Sequence, residues 1–100
     1  MARYLVTYHG SGMPADPAQM EQAKAAFGQW VGEVGHALVD PGAPVHMVGQ
    51  ISSGTAMDAV EIGGYSILDA ESVESARALL QSHPYVARGG TLQINEIIQV

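Results

Sequence analysis

One hundred residues with 47% hydrophobic content suffice for one folded unit with a modest core, and they argue against a disordered chain. Ten acidic residues stand against four basic ones, and Arg3, Lys24, Arg77 and Arg88 are scattered, so a net charge of −6 would repel a nucleic-acid backbone. The absence of cysteine removes disulfides, thiolate nucleophiles and cysteine-held zinc or iron–sulfur centres.

The opening segment, MARYLVTYHG, lacks a signal-peptide core and a small-residue cleavage site. No apolar run approaches the ~18 residues that a membrane span needs. The expectation is a cytoplasmic protein with no membrane partner, organised as one domain over residues 1–100. A charged fraction of only 14% suggests that some apolar surface is covered by another subunit.

Arg3 to His9 is rich in aromatic and β-branched residues and runs into Gly10-Ser11-Gly12, which predicts a strand and then a loop. Its alternating faces, Tyr4, Val6 and Tyr8 against Leu5 and Thr7, are both largely apolar, so both should be covered. Asp16-Pro17-Ala18-Gln19 is a helix start, with Asp16 as cap and Pro17 at the first helical position. Met20, Ala23, Phe27, Trp30, Val31, Val34 and Leu38 then recur at three- and four-residue spacing, which extends the helix to Asp40-Pro41-Gly42. Gly28, Gly32 and Gly35 lie together on a flank of that stripe. Each costs about 1 kcal/mol in a helix, so a second backbone is expected to approach there, from the sheet or another subunit.

Val45 to Ile51 reads as the second strand and Ala59 to Asp69 as the third, joined by a turn at Ser52–Thr55. Gly63-Gly64 implies a bulge or a close backbone approach. Ser72 caps a second helix that buries Val73, Ala76, Leu79 and Leu80 and ends near His83, because a proline follows. Thr91 to Val100 is the last strand. The order βαββαβ places both helices on one face of a four-stranded antiparallel sheet, the ferredoxin-like arrangement of the α+β class. Apolar groups on the opposite face call for a second copy packed sheet to sheet, hence a homodimer.

Three features, the tyrosine-rich YLVTYHG strand, the Gly-Gly-Tyr strand running into Asp69-Ala70-Glu71-Ser72, and Pro84-Tyr85-Val86 before a glycine pair, make the chain similar to the YCII-related family. That family belongs with the dimeric α/β barrels. The small size, the absence of cofactor motifs and a semi-apolar lining point to a cavity between sheet and helices for a small organic molecule. The resemblance itself implies a homodimer. It also implies kinship of fold with cofactor-free monooxygenases, muconolactone isomerases and dehydrochlorinases. Relatives thought to be enzymes pair a histidine on the first helix with an aspartate just before the Pro-aromatic step. The corresponding positions here are Lys24 and His83, so the usual dyad is absent. The segment Thr55-Ala56-Met57-Asp58-Ala59 likewise replaces an Asp-Gly-Pro-Phe motif of many relatives.

His83 is the leading candidate for a general acid/base, and a place at a helix C-terminus would raise its pKa. His9 and Tyr8 end the first strand beside a glycine-rich loop, where ligand contacts often sit. Tyr65 and Asp69 share a face of the third strand and could line a cavity, and Lys24 could anchor an anion. Each has a plainer reading: a histidine bonding helix carbonyls, a solvated loop histidine, a packed tyrosine. His36 and His46 show no metal-ligand spacing, and no phosphate loop, dinucleotide fingerprint or serine elbow is present, so no cofactor is expected. Two functions stand open. One is a cofactor-independent acid/base enzyme of the isomerase, lactone hydrolase or dehydrohalogenase type. The other is a non-catalytic homodimer that binds a metabolite or another protein.

Overall fold

The computed structural model describes residues 1–10 and 16–100. The loop expected over Gly10-Ser11-Gly12 therefore lies, beyond Gly10, outside the described residues. Strand β1 spans Ala2–His9, helix α1 Pro17–Val34, strand β2 Leu38–Asp40, strand β3 Gly64–Ala70, helix α2 Val73–Leu80, helix α3 Pro84–Ala87 and strand β4 Thr91–Glu96. The sheet has four antiparallel strands in the order β2-β3-β1-β4, which is the ferredoxin-like topology. No helix among the described residues is long and apolar enough to cross a membrane.

Local chemistry sets the helix starts. The Asp16 carboxylate accepts the Ala18 N–H at 2.9 Å, and Pro17 takes a position where its missing N–H costs nothing. Ser72 accepts from the Ser75 N–H in the same way at the start of α2. Register then decides what the sheet buries. Tyr4, Val6 and Tyr8 of β1 lie opposite Leu68, Ser66 and Gly64 of β3, and opposite Glu96, Ile94 and Leu92 of β4. This face meets α1 and α2 in a core of Tyr4, Val6, Trp30, Leu68, Ala70, Ala76 and Leu80. Val6 and Leu68 are wholly buried, each a gain of about 1.5–3 kcal/mol. Trp30 joins the layers, its indole N–H donating to the Leu79 carbonyl at 3.1 Å.

Several boundaries depart from the sequence reading. Helix α1 stops at Val34, because Gly35 turns into the left-handed region at φ 64°, and not at Asp40. Leu38, read as the end of the helical stripe, opens β2 instead. Val45 to Ile51 forms no strand. It belongs to an exposed excursion that leaves the sheet after a single bridge between Pro44 and Gly64 and returns at Gly63. The third strand consequently begins at Gly64 and not at Ala59, and the last strand pairs only to Glu96. At the glycine flank of α1 the expected approach of the sheet is not found. Apart from chain neighbours and the helix's own backbone, no atom of the described residues lies within 4 Å of where a Cβ would stand on Gly28, Gly32 or Gly35, so no other described backbone approaches there. Gly64 does take the close approach expected of it, since an added Cβ would sit 3.1 Å from the Ala43 carbonyl oxygen.

Candidate functional site

The short connection between α2 and β4 positions the main group of polar side chains. His83 does not end α2. It caps α3, where its Nδ1 accepts the Tyr85 N–H at 3.0 Å and Pro84 fills the first helical position. Its ring is 1% exposed and packed among aromatic rings, with centroids 4.4 Å from Trp30, 5.1 Å from Tyr8 and 5.6 Å from Phe27. Burial, assisted by the nearby charge of Arg88, pushes its pKa down to about 4. The expected rise is thus reversed: His83 sits at a helix start rather than an end, and desolvation disfavours the cation.

Proton positions follow from this geometry. With Nδ1 occupied as an acceptor, neutral His83 carries its proton on Nε2 and donates it to Tyr8 Oη at 2.7 Å. Ser66 Oγ donates to the Pro41 carbonyl at 2.8 Å, which leaves its oxygen to accept the Tyr8 hydroxyl proton, also at 2.8 Å. The result is one directed chain, Tyr85 N–H to His83 to Tyr8 to Ser66 to Pro41. Burial raises the Tyr8 pKa, and the hydrogen bond with Ser66 opposes that rise.

This chain borders a cavity of about 340 Å³ lined by Tyr8, Met20, Lys24, Phe27, Tyr65, His83, Tyr85 and Arg88, and walled by Pro41–Pro44 and Gly63–Gly64. The wall is almost wholly apolar. Volume and lining match a site for a small organic molecule held by a few fixed polar groups. Two glycines allow the close packing of the tyrosines that line it. Gly42 has φ 77°, and a Cβ there would fall 1.7 Å from the Tyr65 carbonyl oxygen. A Cβ on Gly90 would fall 2.2 Å from the Tyr85 ring, whose hydroxyl donates to the Gly10 carbonyl at 3.1 Å.

Of the residues singled out in the sequence, Tyr8, Tyr65, Lys24 and His83 border this cavity. His9 and Asp69 do not. Both occupy odd-numbered positions of β1 and β3, which face away from the helices. The His9 ring donates from Nδ1 to the Glu61 carbonyl at 3.1 Å and accepts from Thr7 Oγ1 at 2.8 Å. Asp69 is tied to Arg3 at 2.8 Å, and that hydrogen-bonded guanidinium holds its pKa below the usual carboxylate range. Ser66 goes unremarked in the sequence reading, and Phe27, Tyr85 and Arg88 enter it only as helix stripe, motif and scattered charge, not as site residues. Ser66 carried a usable signal: it is a lone polar residue at an inward position between Gly64 and Leu68. Among the described residues no group of three His, Asp or Glu side chains converges as metal ligands would.

No family model matches the chain, and no curated protein does. Among solved structures it is similar to the 5-chloro-2-hydroxyhydroquinone dehydrochlorinase of Burkholderia phenoliruptrix AC1100, determined in complex with 2,5-dihydroxybenzoquinone. The TM-score is 0.57 at 17% identity, over 91% of this chain and 90% of the other. At that identity the likeness shows a shared fold.

Proposed function

We propose that the protein is a cofactor-independent acid/base enzyme acting on a small organic molecule, of the isomerase, lactone hydrolase or dehydrohalogenase type, and a YCII-like member of the dimeric α/β barrels. The observation that carries this reading is Tyr8, which lines the cavity and whose hydroxyl is held between His83 on one side and Ser66 on the other. The proton-donating role expected of His83 passes in this reading to Tyr8, which keeps the substrate contact expected of it. Tyr8 meets the substrate, and His83, neutral and engaged at both nitrogens, holds Tyr8 in position.

Isomerisation and loss of halide begin when a substrate proton is taken, and lactone hydrolysis when water adds to the carbonyl. With Lys24 and His83 not serving as bases, water in the cavity is the proton acceptor or nucleophile, and the electron pair comes to rest on a substrate oxygen. By turning from Ser66 to the substrate, the Tyr8 hydroxyl can donate to that oxygen as charge develops. The His83 Nε2–H, still bonded to Tyr8 Oη, strengthens it as a donor. The fold shared with a dehydrochlorinase supports this class of chemistry. Lys24, with an exposed amine, serves as a charge and not as a base.

A specific observation favours the alternative of a non-catalytic binding module: the proton chain ends on the Pro41 carbonyl, which releases no proton. Tyr8→Phe separates the two, because it keeps the ring and removes only the hydroxyl. Against a panel of ring lactones and halogenated hydroquinones, product is read by absorbance and binding by calorimetry. The enzyme reading expects turnover by the parent and a loss of about 10²-fold or more in kcat in the variant, with binding changed by less than tenfold. Ligands that bind the parent and are recovered unchanged leave the binding module.

A further inference from the structure

Residues 45–62 leave the sheet at the Pro44–Gly64 bridge and are exposed along their whole length. The first limb reads Val45-His46-Met47-Val48-Gly49-Gln50-Ile51, with apolar or small residues at the odd positions and His46 and Gln50 among the even ones. That is the alternation of a strand with one face to bury. Val48 and Ile51 are nevertheless almost fully open to solvent. At the far edge of the sheet, β4 pairs with β1 along one side, and the described sheet ends there. Leu92 and Ile94 of β4, Val73 and Leu80 of α2 and Val86 of α3 line a groove of about 470 Å³ beside that edge. Val73 and Val86 are themselves exposed. A strand edge alongside an apolar groove offers an added strand main-chain bonds and pockets for every second side chain.

We infer that Met47–Ile51 adds as a fifth strand to the β4 edge of a second copy of this chain, with Met47 and Ile51 in its groove. The exchange is reciprocal, since each copy carries both the limb and the edge, and the two are of similar length. The root stays at home: the Val45 N–H donates to the Gly63 carbonyl of its own chain at 3.0 Å. Charge favours this contact. A chain of net charge −6 repels its copy, and residues 45–57 contain no Asp, Glu, Lys or Arg, so the limb meets the partner where that repulsion is least. The inference is independent of the cavity chemistry. It also asks more than a contact of outer sheet faces, because it requires main-chain bonds between copies in a fixed register.

The chain has no cysteine, so introduced thiols report chosen contacts alone. Directly opposed residues of a ladder have Cα atoms about 4.5–5.5 Å apart, within disulfide reach. His46→Cys, Val48→Cys and Gln50→Cys, on the limb face that would align with Gln93, are each co-expressed with Gln93→Cys and oxidised. Met47→Cys is the control for the opposite face. All five positions are exposed, so the variants should fold. The expected result is a linked pair of chains from at least one of the three mixtures and none from Met47→Cys with Gln93→Cys. In the parent protein, amide exchange over Met47–Ile51 and Thr91–Glu96 should slow about tenfold or more as concentration rises and copies pair. Links formed only by Gln93→Cys with itself would join two β4 edges and overturn the exchange. Links formed only between limbs would overturn it too. So would linking by every mixture alike, Met47→Cys included, linking by none, or amide exchange that ignores concentration.

Discussion

His83 enters the folded core uncharged, whereas in an unfolded chain it titrates near 6.5. Above that pH both states are neutral and the residue contributes no pH dependence. Between about 6.5 and 4 the unfolded chain binds a proton that the native state refuses, so stability falls as pH falls. The loss by pH 4 is about 2–4 kcal/mol, at about 1.4 kcal/mol per pKa unit. Urea unfolding at pH 7 and pH 4.5 should show a larger loss for the parent than for His83→Asn, which retains an N-cap acceptor and does not titrate. Equal losses would mean that His83 is free to protonate in the native state. Gly42 tests the cavity wall at the same scale. Gly42→Ala places a methyl group against the Tyr65 carbonyl in a left-handed backbone. It should destabilise the protein by about 3 kcal/mol or more, measured by the same denaturation.

The elements differ in how openly the sequence announced them. Strand β1, the start of α1 at Asp16-Pro17 and the cap of α2 at Ser72 carry their signals within a few residues, and they stand where those signals place them. Strand β2 does not. Val45–Ile51 has the β-branched composition of a strand, yet strandhood requires a partner ladder, and this segment finds none among the described residues. Leu38–Asp40 is too short to be seen by composition and exists because β3 lies beside it. His83-Pro84 was ambiguous for a different reason: a proline after a histidine suits the end of one helix and the start of another equally. Alternation explains the site. Tyr8 on an inward position of β1 meets Ser66, whereas His9 and Asp69 fall outward by one residue of phase. Tyr65 shares that outward phase and still lines the cavity, because β3 begins against the turn at Gly42 and Ala43. On α1, the open flank makes a direct prediction. Gly28→Ala and Gly32→Ala should each stabilise the protein by about 1 kcal/mol, seen as a higher thermal midpoint. A fall in the midpoint would show that another chain closes on that flank.

At the scale of the molecule, the described chain measures 45 × 39 × 19 Å, a slab of one sheet and one helical layer. The helices pack on one face of the sheet. On the other, half-buried Leu5 and Ile67 lie side by side in the register of β1 and β3. The excursion over residues 45–63 adds Val48 at 90% and Ile51 at 102% exposure, with Met57 and Val60 nearly as open, and Ile98 and Val100 are bare beyond β4. Covering such side chains is worth about 1.5–3 kcal/mol each, near 25 cal/mol per Å². Together they supply some hundreds of Å² of apolar surface, a large part of the roughly 800 Å² per partner that a stable interface needs. A second copy is the occupant that this chain can always provide, and we expect a homodimer joined across the outer sheet face and the excursion. Sedimentation at micromolar concentration should give twice the 10.5 kDa chain mass. Ile67→Arg and Ile51→Asp should each shift it toward the monomer, since either would bury a charge in an apolar contact. The roots of the excursion, Pro41–Pro44 and Gly63–Gly64, are also the wall of the cavity. Fixing the excursion on a partner therefore fixes that wall, and ligand affinity in the Ile51→Asp monomer should drop severalfold although Ile51 is not among the lining residues. A parent protein that sediments as a monomer would remove the dimer. A monomeric Ile51→Asp variant with undiminished affinity would show that each cavity is complete within one chain.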